Sequence, residues 1–170
     1  MDFYSLSAES NKLDKTQLEE RHCLMMSRRI SLLITGLTMP ATKRLNPNLD
    51  TAAFGKTLDT SIDGLKAIPG LYYQRFDLDH EAPAESPESV AAFKKVVKDG
   101  PPHGGEWDAY FLGAGLRIIP SLTPLFEDLV NTIIVQGKGK AKVMFSANAA
   151  DHVQVVKRVL PELDAEQSSG

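Results

Sequence analysis

A chain of 170 residues, 42% hydrophobic and 24% charged, has the length of one domain and enough apolar material for a core that needs no staples. Its formal net charge of −3 leaves no basic footprint for nucleic acid or anionic membrane. The single cysteine, Cys23, excludes an internal disulfide framework, and no apolar run approaches the ~20 residues of a membrane span.

Residues 1–12 are small and polar and read as loosely ordered. Residues 14–26 have helical spacing, with Leu18, His22 and Met25 on one face and Gln17 placed to box Asp14. That face is too small to hold a lone helix in water, so residues 1–27 are expected to be a helical appendage that pairs with a second subunit, giving a homodimer. A single α/β domain is expected over 28–163, with a disordered tail at 164–170. Arg28 and Arg29 precede the apolar ISLLITGL, which is too short and starts too late for a signal peptide. ISLLIT (30–35) instead reads as a strand buried on both faces, ended by Gly36. The protein is thus expected to be soluble and cytoplasmic.

From Leu37 to Asn48, Pro40, Asn46, Pro47 and Asn48 mark a loop. A helix follows from about Asp50, with Phe54, Leu58, Ile62 and Leu65 inward, and Pro69-Gly70 stops it. LYYQRFDL (71–78) alternates and reads as an edge strand. Ser86-Pro87-Glu88 looks like a helix start, and that helix turns Val90, Phe93 and Val97 inward and ends at Gly100. AYFL (109–112) is a third buried strand; it breaks at Gly113 and Gly115 and leaves Arg117 on a loop. A helix then starts behind Ser121 and Pro124, with Leu122, Leu125, Phe126, Leu129 and Ile133 at helical spacing. The last strand is 141–145, and the last helix, capped by Asp151 and Gln154, buries Val153, Val156 and Leu160.

Strands alternating with helices demand a parallel sheet with right-handed crossovers. The expected architecture is a three-layer α/β sandwich with a four-stranded parallel sheet in order 2-1-3-4, flavodoxin- or Rossmann-like. Its topological switch lies between strands 1 and 3, so a ligand crevice is expected where the chain after Gly36 meets the Gly113–Arg117 segment.

Gly113 and Gly115 supply two glycines of a dinucleotide fingerprint, but Ile118 replaces the third and the motif follows the third strand, so no cofactor is expected. Arg117 is the leading candidate, a bidentate clamp for carboxylate or phosphate beside a helix start. Its structural alternative is an ion pair with Glu127, Asp128 or the 37–48 loop. Gly36, Thr38, Ser146 and Asn148 lie at strand ends from which they reach the same pocket, with turn chemistry as the alternative for the last two. His80 and Asp79 are the acid–base candidates, since a carboxylate can orient an imidazole that titrates near neutrality. Beside Asp77, Glu81 and Glu85 they also read as a solvated acidic turn, and no metal site is assigned. His103-Gly104-Gly105 has the form of an esterase oxyanion loop, but it precedes its strand and no nucleophile elbow accompanies it.

GAGLRIIPSLTPLFEDLVN (113–131), KVMFSAN (142–148) and the ITGL strand end together resemble a group of small, uncharacterised Rossmann-like α/β proteins of fungi and some bacteria. The resemblance covers residues 30–160, and it implies the fold and draws attention to the Arg117 segment. That group's last strand tends to end Phe-Asn-Thr, where this chain has Phe145-Ser146-Ala147. Two functions follow as expectations: an enzyme or binding domain for a small anionic metabolite, or a non-catalytic oligomeric module.

Overall fold

In the computed structural model, which describes residues 29–137 and 139–165, Ser31 to Thr35 are buried without interruption. Only a strand covered on both faces accommodates such a run, and β1 (Ile30–Leu37) is that central strand. It pairs in parallel with β2 (Leu71–Leu78) on one side and β3 (Ala109–Leu112) on the other. β4 (Lys142–Phe145) adds in parallel to β3. The order is β2-β1-β3-β4, as expected, and the alternating β2 is an edge strand.

Side chains alternate across the sheet and divide the core in two. Leu32, Ile34, Phe111 and Met144 face a layer built from the turn Gly64–Ala67 and helices α6 (His152–Val159) and α7 (Glu162–Ala165). α2 (Thr51–Asp63) joins this layer through Ser61, which meets His152. Leu33, Tyr110 and Leu112 face α3 (Val90–Asp99), α4 (Ala114–Ile118) and α5 (Thr123–Gln136), which contribute Phe93, Val97, Leu116, Leu129 and Ile133. Helices on both faces make the three-layer sandwich. Among the described residues no helix is long and apolar enough to cross a membrane.

Several local expectations are corrected. The segment after Thr38 is not a loop but α1 (Met39–Leu45). The Thr38 hydroxyl accepts from the Ala41 N–H at 3.2 Å and Pro40 sits in the first turn, where its missing N–H costs nothing. The cap of α3 is Ser89, which accepts from the Ala92 N–H; Ser86 and Pro87 form the turn before it. Arg117 lies in the last turn of the short helix α4 and not on a loop. Asp151 stands at the N-cap position of α6, yet its carboxylate accepts from the Ala147 N–H at 2.8 Å and caps the preceding loop instead. The helix expected over 14–26 lies outside the described residues, and α7 runs to Ala165, inside the segment expected as a tail.

Gly100 ends α3 at φ 78°, ψ −172°, where an added Cβ would collide with the Gly105 carbonyl. Gly104 also has a positive φ, but a Cβ there meets nothing within 4 Å. Urea denaturation should therefore show Gly104→Ala costing about 1 kcal/mol, the conformational term alone. Gly100→Ala should cost about 3 kcal/mol, because backbone strain and a backbone clash add. Equal losses at the two positions would show that the Gly105 contact relaxes freely.

Candidate functional site

The chain leaves β1 towards α1 and α2 and leaves β3 towards α4 and α5, on opposite faces of the sheet. The two exits meet as the strand order requires. The Gly113 N–H donates to the Thr35 carbonyl at 2.8 Å, and a Cβ on Gly113 would sit 3.4 Å from that oxygen and 3.5 Å from the Gly36 Cα. A Cβ at 113 would thus touch the β1 backbone at ordinary contact distance. A Cβ on Gly36 would meet nothing within 4 Å, so space opens there on the face shared with Leu32 and Ile34. A Cβ on Gly115 would be in ordinary contact with Leu37, 3.5 Å away.

Ser146, buried at the end of β4, ties the other side together. Its hydroxyl accepts from the Ala114 N–H at 2.8 Å, at the start of α4, and its carbonyl accepts from Arg117 Nη2 at 3.1 Å. The guanidinium carbon lies 5.9 Å from the centroid of the Phe145 ring, within cation–π range. Arg117 is thereby held over the C-terminal end of β4 without burial. Neither sequence alternative for an acidic partner is realised: among the described residues no carboxylate pairs with Arg117, and Asp128 binds Lys94 at 2.9 Å. Asn148 lies two residues beyond Ser146. Its side-chain oxygen accepts from the Ala150 N–H at 2.8 Å, which leaves its NH₂ donors facing outward on an exposed residue.

The other named residues fall elsewhere. Thr38 is spent as the α1 cap. Asp79 and His80 follow β2, with β1 between them and the Gly113 segment. Arg44 of α1 donates to Asp79 at 2.6 Å and lies 2.9 Å from Glu81. The hydrogen bond from Arg44, aided by one from the Glu81 N–H, holds the Asp79 carboxyl below its ordinary range. His80 Nδ1 is 4.0 Å from the nearer Asp79 oxygen and is buried without a hydrogen-bond partner, so the orienting bond of an acid–base pair is not formed. His103 bonds Ser31 at 3.0 Å, at the opposite end of the sheet from these loops, as its place before β3 implies. Among the described residues no group of three or more His, Cys, Asp or Glu is placed to hold a metal.

Two features have no local sequence signal. Thr35, at the end of β1, is buried with its hydroxyl unpartnered; in ISLLIT it reads as one more strand residue. The second is His152, 3% exposed, hydrogen-bonded to Ser61 at 3.0 Å and stacked on Phe111 with ring centroids 4.5 Å apart. An open groove of about 410 Å³ lies beside this pair, between α2 and α6, lined among others by Lys56, Thr60, Ser61 and Val153.

No protein-family model, no curated protein and no solved structure matches the chain. The site therefore rests on its own chemistry: a positioned guanidinium, an outward amide and glycine-lined backbone at a topological switch. These groups can bind and orient an anion, whereas the two carboxylates beside His80, Asp79 and Glu81, are both engaged by Arg44.

The Arg44–Asp79 contact has a pH signature. Asp79 has a depressed value in the fold, so the pair's contribution is present above the unfolded carboxyl value of about 3.9 and is lost as pH falls through the folded value. Arg44→Ala should move the Asp79 carboxyl midpoint upward towards that ordinary value, as read by carboxyl carbon NMR. The stability difference from the parent protein should vanish in acid. An unmoved Asp79 midpoint would mean that the Glu81 N–H alone sets it.

Proposed function

We propose that this chain is a small-molecule-binding α/β domain that takes a small carboxylate or phosphate anion at the C-terminal edge of its sheet, in a cytoplasmic setting. One observation carries the reading. Arg117 is anchored by a single backbone hydrogen bond over an aromatic ring, is exposed, and has no carboxylate partner among the described residues. A cation fixed in place with most of its donors unused is preorganised for a planar anion, since the ordering cost has been met in folding. Asn148 adds amide donors from the same loop, and the open space at Gly36 lets a ligand approach the backbone. The resemblance to small Rossmann-like proteins belongs to this reading. A catalytic version of it rests on His80, whose Nδ1 has no partner.

Calorimetric titration with inorganic phosphate and with malonate tests the site. Arg117→Ala should abolish binding while the melting temperature moves by less than about 3 °C, because only one hydrogen bond and one ring contact of an exposed side chain are lost. Arg117→Lys should restore part of the affinity, since an ammonium cannot reproduce the guanidinium fork. A large fall in melting temperature with binding intact would make Arg117 structural.

A second reading, the oligomeric module, is favoured by the outer face of α5, where Ile134 is 52% and Val135 76% exposed. A second copy would cover them. Sedimentation of the full chain should then show a dimer that Ile134→Lys with Val135→Lys converts to monomer. A chain already monomeric at high concentration removes this reading.

A further inference from the structure

We infer that the Ser61–His152 pair is an acid-sensitive latch on the loop 146–151: protonating the buried imidazole frees that loop and, with it, the residues that hold Arg117. The first half stands on the packing of α2 against α6; the consequence for ligand rests on the anion-site reading above.

His152 opens α6, and its ring lies flat on Phe111 of β3, with an interplanar angle of 11°. Ser61 of α2 meets it twice. The Ser61 oxygen accepts from the His152 N–H at 3.1 Å and stands 3.0 Å from the ring Nδ1. While its oxygen accepts that backbone donor, the Ser61 hydroxyl is free to give its own proton to an unprotonated Nδ1. A neutral ring with its proton on Nε2 satisfies every group. A protonated ring reverses the Nδ1 contact, so the Ser61 oxygen must accept twice and its own proton must turn to another acceptor.

The surroundings set when this happens. Burial is the largest influence and pushes His152 below its ordinary value. The Asp151 carboxylate next to it and the Ala149 backbone favour the charged ring, whereas Arg75 of β2 opposes it. Arg75 is itself paired with Asp77 of β2 at 2.7 Å and with Asp59 of α2 at 3.4 Å, and Phe111 brings no charge from β3. The ring is therefore neutral near pH 7 and becomes charged only in acid.

The same chain of contacts leads to the anion site. Asp151 precedes His152 and its carboxylate accepts from the Ala147 N–H at 2.8 Å. Ala147 follows Ser146, whose carbonyl holds Arg117 and whose hydroxyl holds the start of α4. A shift at the head of α6 is thus passed to Arg117 through two hydrogen bonds in series, Asp151 with Ala147 and Ser146 with Arg117, joined by chain neighbours. The seam does not come apart, because Val153 also presses on Gly64, where a Cβ would lie only 2.8 Å from its methyl. Release is local to the loop and the first turn of α6.

Amide hydrogen exchange on the full chain, corrected for intrinsic rates and read from about pH 7.5 downward until the His152 ring has titrated, tests the latch. Protection of the Ala147 and Val155 amides should fall about tenfold as the His152 ring titrates by NMR, while the Gly113 amide in the sheet stays protected. Ser61→Ala should give the low protection at every pH, and His152→Asn, which keeps an acceptor towards Ser61 but does not titrate, should give a flat profile. If His152→Asn does not fold, the titration of the parent protein decides. The latch is overturned if protection is unchanged while the ring titrates, or if Gly113 loosens together with the loop. Affinity for inorganic sulfate, whose charge is constant over this range, should fall in parallel. Sulfate affinity indifferent to the state of His152 overturns the coupling to Arg117. If sulfate binds at no pH, the anion site fails, and the exchange data alone still judge the latch.

Discussion

Burial of β1 on both faces is the constraint on which the rest depends. Leu32 and Leu33 are wholly inaccessible and point to opposite layers, each contributing about 1.5–3 kcal/mol through removal from water. A strand buried this way must have neighbours on both edges and helices on both faces, so its exit and that of β3 are driven apart to opposite layers. That divergence leaves Gly36 with open space on one face and places α4 over the other.

Around that divergence, β4 and the loop after it act as a bracket. Ser146 uses its hydroxyl for α4 and its carbonyl for Arg117, Asp151 closes the loop by binding the Ala147 N–H, and Asn148 closes its own turn. Most of the polar groups that the strand end brings near the core are thereby matched, although one Asp151 carboxylate oxygen stays buried without a partner. Three of these matches use side chains on one short segment, so the loop is stiff for its length. It is anchored to the opposite layer through His152 and Ser61. The segment touches both layers, which is why it can connect the α2–α6 seam with the guanidinium.

The acidic turn after β2 shows how a plausible catalytic pair is disarmed by its surroundings. Asp79 and His80 are neighbours in the chain, and composition alone makes them attractive. In the fold Arg44 reaches down from α1 and takes the carboxylate, leaving the imidazole at a distance too long for a hydrogen bond. The loop expected between residues 37 and 48 hid this, because Arg44 acquires a direction only once that stretch is a helix capped by Thr38.

What the sequence by itself determined is the framework: which stretches are strands, that the sheet is parallel, and its order. These follow from local periodicity and from glycine and proline punctuation, which act over a few residues and need no knowledge of partners. Gly36, Gly113 and Gly115 were legible as the switch for the same reason. The partners were not legible. Arg117 had acids ten and eleven positions ahead as candidates, but Pro120 separates α4 from α5 and turns the guanidinium towards β4, so its partner is a carbonyl 29 residues away. Ser61 and His152 lie 91 positions apart and Arg44 and Asp79 lie 35 apart. Only the tertiary structure decided those pairings, because a side chain's partner is set by which layers the core brings into contact.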